Sequence, residues 1–466
     1  MPSISVLRQS AAELLASVVI DLFPGALLVR AVATEQGFYC DIVASQTIDD
    51  YALPLLEEKM RGEAKKGLTV RSLDMMREVA VNYLSHKGQP IRGQEVGMAK
   101  ENIVSLIQIG DFCDWCSLPY VHNTQELEFF KIVKIAPATS YVADEGSIEV
   151  KRIHGIVAPD KYHLKKAVKG WLTGQKGSHT KWTQERKFFF PEPRISETAW
   201  VWEQQGLEIK RNLISWWENT HQVELFQLVA TPALIKKTLA EKAGVYEEGD
   251  PHATPITEIN GVSYVLAPTV APAHMTLFSQ TARSEKELPI RYAEYAPLIF
   301  REPAGQLGGI LDASTVSADF AHIFCAPSHL EKELISSLQF IDKSIKMFGF
   351  EYHWHFVGRG EKFAGTVRRW ETALASMKAA FQQCGFTYGS DPQEDSFAGP
   401  IAEARLIDRF GREWKGPHVR VDIEAPERFG LKYQGGDHKL YKPWIIARSL
   451  FGSLERFVAL LLEHTR

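Results

Sequence analysis

The sequence predicts an α+β fold spread over at least two domains, and three observations carry that expectation. Helical apolar spacing and strand-like alternation are interleaved along the chain. Its 466 residues are enough for two or three ordinary cores. A strongly basic and aromatic stretch at 162–190 stands between an N-terminal part and a C-terminal one.

The elements follow in order. Leu14, Leu15, Val18, Val19 and Leu22 recur at helical spacing within 8–23, and Pro24-Gly25 ends that helix. Residues 26–43 alternate as strands through Leu28, Arg30 and Val32 and the run from Phe38 to Ile42. Residues 50–66 and 72–85 read as helices, and 103–142 as strands, so an α+β domain is expected to end near 165. Beyond the basic stretch, 206–244 reads as an amphipathic helix, a strand from Phe226 to Ala230, the Thr231-Pro232 step and a second helix. Strands are expected to dominate from 262 onward, and an apolar helix from Arg448 to Glu463 closes the chain. No short-period repeat is present.

Composition narrows the function classes. With 45% apolar and 24% charged residues the chain reads as globular. A net charge of −4 supplies no global basic field, so any nucleic-acid contact needs a local patch. No apolar run reaches the length of a membrane span, and the N-terminus lacks a signal-peptide pattern. The expectation is a cytoplasmic protein with no membrane partner. The five cysteines are an odd number in a long chain and read as reduced thiols. Cys113 and Cys116 form a lone CxxC, which without a second ligand pair is weak evidence for metal or redox chemistry. His353 and His355 alternate along a strand and read as a surface strand. Two readings fit 162–190. It is a solvated linker helix, or a strut whose Lys and Arg meet phosphate and whose aromatics stack on bases.

The C-terminal segment from Gly416 to His464, with Asp422, Pro426-Glu427-Arg428-Phe429, Pro443 and GSLERF at 452–457, resembles motif 3 of class II aminoacyl-tRNA synthetases, the threonyl-tRNA synthetases in particular. Segments 288–309 and 321–327 resemble that family's motif 2 region, and Gly206 to Gly244, with Pro232, its motif 1. In the first 160 residues, 36–42, 110–121 and 152–161 resemble the family's editing domain. The resemblance implies an editing-like domain over 1–165, a basic linker helix over 166–194 and a class II core over 195–466, an antiparallel sheet flanked by helices. It also implies a chain without the family's N-terminal ubiquitin-like domain and C-terminal anticodon-binding domain.

Carried over residue by residue, the resemblance implies an eroded site. The family's zinc has one Cys and two His ligands, and those positions hold Ala271, His322 and Ala447. One imidazole cannot hold a zinc ion, which needs three or four protein ligands, so no metal is expected and His322 reads as a buried, hydrogen-bonded histidine. In motif 2, Phe300 stands at the arginine position, Arg301 one residue later and Glu302 in place. One step along a strand turns a side chain to the opposite face, so Arg301 is a poor substitute. Asp312, Val316, Ala318, Phe320, Ala398, Ile401 and Arg420 replace further nucleotide- and substrate-side groups, while Arg456 of motif 3 is retained. Arg456, Arg301 and Glu302 are the candidate catalytic residues, with Arg456 and Glu302 toward ATP and Mg²⁺. Arg420, Asp312, His322, Ala271, Ala447 and Ala398 are expected to line the substrate pocket. The editing site's histidine pair and its later Cys and His become Gln9, Glu13, Cys116 and Tyr120. Gln9 and Glu13 keep the four-residue spacing on one helix face but not its acid–base character.

The resemblance thus implies a homodimer that has lost zinc-dependent threonine activation and editing and serves as a binding or regulatory module. The alternative is an ATP-dependent ligase repurposed for another amino or carboxylic acid. Whether the chain is an enzyme stays open. A tRNA or a carrier protein is the expected partner of 162–190.

Overall fold

The computed structural model describes residues 2–116, 119–142, 146–177, 179–192, 194–247, 256–299, 309–312 and 315–465, and the chain divides into two compact units near Lys176.

The first unit runs α1 (Ile4–Leu22), β1 (Leu27–Thr34), β2 (Gly37–Val43), α2 (Leu53–Lys65), β3 (Val70–Met76), α3 (Arg77–His86), α4 (Pro90–Gly97), β4 (Ile103–Ile109), β5 (Phe112–Trp115), β6 (Phe130–Val142), β7 (Gly146–Val157) and α5 (Lys161–Gly177). Its main sheet is antiparallel in the order β1-β2-β7-β6, and β3-β4-β5 form a smaller one. Ser3 starts α1 by accepting the Val6 N–H, one of the donors a helix start leaves unpaired. The helix then buries Leu7, Ala11, Leu14, Leu15 and Val18 against the inward residues of β2, Phe38, Cys40 and Ile42. The sequence pattern placed a helix over 72–85, but residues 72–76 belong to β3. Leu73 and Met75 alternate toward the small core made by Ala80, Leu84 and Val96, and the period of two prevails over helical spacing.

The second unit runs α6 (His179–Arg186), β8 (Phe189–Glu192), β9 (Ser196–Trp202), α7 (Gln204–Val223), β10 (Gln227–Leu228), β11 (Leu234–Lys236), α8 (Lys237–Ala243), β12 (Ile256–Ile259), β13 (Val262–Leu266), α9 (Ala271–Ser279), β14 (Arg283–Ser284), β15 (Ile290–Ile299) and β16 (Thr315–Cys325). It continues with α10 (Pro327–Met347), β17 (Glu351–Arg359), α11 (Val367–Cys384), β18 (Tyr388–Ser396), β19 (Ile401–Ile407), β20 (Glu413–Asp422), α12 (Ala425–Arg428), β21 (Tyr433–Gln434), β22 (Leu440–Tyr441), β23 (Trp444–Ser449) and α13 (Leu454–His464). Eight strands form one sheet in the order β10-β15-β16-β23-β20-β19-β17-β18. Its interior is antiparallel, with a parallel pair at each edge, β10 on β15 and β18 on β17.

Strand alternation divides that sheet into two faces. Ala321, Ile323, Val419, Val421 and Ile446 point into the main core, which α7, α10, α11 and α13 close with residues such as Trp217, Leu338, Trp370 and Val458. Asp319 lies on the same side. It accepts from the backbone of Leu450, Phe451 and Gly452, from Trp217 Nε1 at 3.1 Å and from Ser449 Oγ at 3.0 Å, which fixes the turn into α13. The helix expected from Arg448 therefore starts later. Arg448 belongs to β23, opposite Val419 and Ala321, and Ser453 caps α13 by accepting the Arg456 N–H. Strands do not dominate after 262, since α10 and α11 add 21 and 18 helical residues. Gly399 is required where the chain enters β19. At its φ of +155° a Cβ would stand 1.7 Å from the carbonyl oxygen of Val421.

Candidate functional site

The opposite face of the eight-stranded sheet holds the site. One cross-strand row runs Tyr292, His322, Ala447, Arg420, Ile401 and Val357 through β15, β16, β23, β20, β19 and β17. Directly paired residues share a face. The fold therefore brings His322, Ala447 and Arg420 side by side, as the sequence reading places them in one pocket. Ala271 opens α9, whose Met275 and Phe278 cover one end of this face over Tyr292 and Phe324. Ala398 lies in the turn before β19, where its carbonyl accepts the Ile423 N–H at 2.8 Å.

Sequence reasoning missed a buried polar chain behind His322. His274 of α9 lies with Nδ1 2.9 Å from Nδ1 of His322 and Nε2 3.1 Å from Glu294 Oε2. Glu294 also accepts from the Thr231 backbone N–H and hydroxyl, at 2.6 and 2.8 Å. The available signal was positional. His274 is three residues after Ala271 on one helix, and Glu294 is two residues from Tyr292 on one strand face. Burial, with His274 and Arg420 nearby, pushes the His322 pKa well below the usual imidazole range.

A zinc ion does not fit this donor set. Ala271 and Ala447 offer methyl groups, and one nitrogen of His322 faces another imidazole. Toward a nucleotide, Arg456 lies in the first turn of α13, whose cap residue Ser453 bridges to Ala318 on the open face of β16. Next to it Glu455 holds Lys210 at 2.9 Å and the Ser317 N–H at 2.7 Å. Phe300, Arg301 and Glu302 lie outside the described residues, as does the side chain of Asp312.

Farther along the same face, Arg405 binds Glu394, Glu403 and Glu413, and His355 Nε2 stands 2.7 Å from Glu394 Oε2. The hydrogen bond from His355, with Arg405 nearby, holds the Glu394 pKa down to about 2. The strand carrying His353 and His355 is thus not a surface strand throughout. His353 is exposed, and His355 is buried.

In the first unit the editing-like positions also meet, but as structure. The amide of Gln9 donates to Ala31 O and accepts from Ala33 N, both at 3.1 Å, and so stitches α1 to β1. It also donates to Glu13 Oε1 at 2.8 Å. Glu13 is buried beside Asp114, and Asp114 Oδ1 accepts from Arg92 Nε at 2.7 Å. Burial first, then Asp114, raises the Glu13 pKa well above the carboxylate range. Cys116 is buried in the same core and Tyr120 packs on it. Cys113 belongs to the separate core of α3 and α4, with its Sγ 3.6 Å from the Tyr83 hydroxyl, so the CxxC pair is divided between two cores.

Comparison with known proteins places this geometry. The tRNA synthetase class II core domain (G, H, P, S and T) matches residues 256–465. The threonine–tRNA ligase of Lawsonia intracellularis is 30% identical over 461 residues, covering 99% of this chain and 72% of that protein. That of Dehalococcoides mccartyi (strain CBDB1) is 31% identical over 461 residues, covering 99% and 79%. Among solved structures, the RNA binding domain of threonyl-tRNA synthetase from Cryptosporidium parvum Iowa II aligns with a TM-score of 0.58 at 27% identity, over 62% of this chain and 72% of that one.

Proposed function

The chain belongs to the threonyl-tRNA synthetase family, and on that premise we propose that it has lost zinc-dependent threonine activation and editing and acts as a homodimeric binding or regulatory module. One observation carries the reading. The imidazole that would ligate zinc is engaged by His274, between two alanine positions that cannot ligate. The first unit points the same way, since Gln9 and Glu13 are committed to the backbone of β1 and to Asp114. Self-association is supported at the β10 edge of the large sheet, where Val223 is 82% exposed and Leu225 is 76% exposed.

A second reading, a repurposed ligase, is favoured by Arg456 beside the open face and by Arg420 within it. ATP with Mg²⁺ would supply an adenylyl group there. Arg456 would hold phosphate charge, and Arg420 would orient an acid.

The partner surface is a groove of about 660 Å³ among α2, β6 and α5. Lys65, Lys161 and Lys165 line it with Arg61 over an apolar floor of Phe130 and Leu164. That combination suits a phosphate backbone with stacked bases, and it supports tRNA as the partner over a carrier protein.

The deciding experiment is acid-dependent ATP–pyrophosphate exchange without added zinc, across amino and hydroxy acids. The expected result is no exchange from a folded dimer. Exchange with one acid that disappears in Arg456→Ala would overturn the non-catalytic reading in favour of the ligase.

A further inference from the structure

The polar chain behind His322 fixes what that residue can offer a ligand. Glu294 accepts from both groups of Thr231, so it also accepts from His274, whose Nε2 carries a hydrogen. Nδ1 of His274 and Nδ1 of His322 stand 2.9 Å apart and share one hydrogen, so this contact occupies Nδ1 of His322. That leaves Nε2 of His322, which has no hydrogen-bond partner among the described residues. The depressed basicity of His322 keeps the ring neutral.

Across Ala447 in the same row stands Arg420. Two strand spacings put the two Cα atoms about 10 Å apart. Among the described residues its guanidinium has one ionic partner, Asp422 at 3.3 Å. Asp422 is itself committed through Oδ1 to the N–H groups of Glu424 and Ala425. The Nε of Arg420 is buried without an acceptor among the described residues, and the side chain is 33% exposed. A guanidinium presents a planar fork of donors matched to carboxylate or phosphate, and a buried donor without an acceptor costs about 1–3 kcal/mol until one arrives. Between Arg420 and His322 the Ala447 methyl leaves room, and Ile401 bounds the far side of the row.

We infer that this pocket binds an amino or hydroxy acid with an anionic side group, the anion held by Arg420 and a polar group of the acid hydrogen-bonded to Nε2 of His322. The inference rests on the pocket surviving as a binding site and holds with or without catalysis. The complementary features are the Nε2 of His322 and the Nε of Arg420 on one sheet face, each without a hydrogen-bond partner among the described residues.

Isothermal calorimetry on the full-length protein, without ATP, tests it with three pairs of probes. L-aspartate is set against L-asparagine, L-glutamate against L-glutamine, and O-phospho-L-serine against L-serine. One acidic probe is expected to bind at least tenfold more tightly than its neutral counterpart, and which one identifies carboxylate or phosphate as the anion. Arg420→Gln should abolish that preference, Arg420→Lys should keep part of it, and His322→Phe should weaken the acid without changing the order. Thermal melts check that each variant is folded. Equal binding of acidic and neutral probes, no binding of any, or an unchanged preference in folded Arg420→Gln would overturn the inference. Pyrophosphate exchange with the preferred acid would overturn the non-catalytic reading and leave this one standing, whereas absence of both exchange and acid binding would overturn this one alone.

Discussion

Replacing Glu13 by Gln should make the first unit more stable as pH rises, although the substitution removes no packing volume. Glu13 Oε1 accepts from Gln9, while among the described residues Glu13 Oε2 and Asp114 Oδ2 are buried without a donor, and the two carboxyl groups lie beside each other. One proton carried by Glu13 satisfies both oxygens, the arrangement two close buried carboxyls adopt. Below the unfolded value of 4.5 both states hold that proton, and the stability linked to it is fully present. Above 4.5 the unfolded chain releases the proton and the folded chain keeps it, so stability is lost progressively until the folded pKa is passed. The slope approaches about 1.4 kcal/mol per pH unit, tenfold in the folding equilibrium. In Glu13→Gln the new side-chain amide would accept from Gln9 through its carbonyl and donate to Asp114 through its NH₂ group, at no pH cost. The variant should match the wild type near pH 4.5 and gain on it progressively as pH rises above that value. Because the chain has two units, a global melt is a poor probe. Hydrogen exchange of the α1 amides, compared between the two proteins at each pH, reports this unit alone. Parallel protection at pH 5 and pH 7 would refute the reasoning, since Glu13 would then take up no proton on folding.

Other consequences follow from particular contacts. Asp319→Ala leaves the N–H groups of Leu450, Phe451 and Gly452 and Trp217 Nε1 without their acceptor, and urea unfolding should show a loss of about 3–5 kcal/mol. Val223→Glu puts a charge on the exposed apolar end of α7 and should convert the dimer to monomer by light scattering without lowering helix content. Lys161→Glu with Lys165→Glu should weaken tRNA binding and reduce the slope of log K against log salt by about 2, one for each cation removed. Glu394→Gln should behave opposite to Glu13→Gln. The Glu394 pKa is held at about 2, so its stabilisation is present above 4.5 and fades as pH falls toward 2, and the gap between variant and wild type should close over that range in acid titration.

The fold was legible where apolar spacing was regular. Helix α1 and strands β1 and β2 follow from Leu14, Val18, Leu28 and the run from Phe38 to Ile42, because each element buries a single periodic face. The segment 72–76 was misread because Ser72 and Asp74 alternate with Leu73 and Met75 over too few residues to separate the two periods. Arg448 was drawn into the following helix because β23 is buried on both sides, and a fully buried strand has no polar alternation to mark it. The row from His322 to Arg420 was legible only through resemblance, since those residues lie 98 positions apart in sequence and strand register alone joins them. His274 and Glu294 escaped because a buried polar chain has no sequence period. Its members come from a helix, a strand and a loop, and only the fold sets them within hydrogen-bond reach.

Parity separates the residues that hold the sheet from those that face the site. Ala447 and Arg420 share their strands with Ile446, Val419 and Val421, but point to the other face of the sheet. Substitutions on the open face leave untouched the aliphatic layer and the Asp319 turn that hold α13 in place. His322 is the exception on that face, because removing it would strand His274 beside Glu294 in a buried pocket. The same logic applies in the first unit, where Gln9 and Glu13 lie on the buried face of α1 and have no open side to drift on. Gln9 hydrogen-bonds to β1, and Glu13 lies beside Asp114. On the sheet, Ala447 and Arg420 lie on the open face, where the Arg420 side chain is 33% exposed.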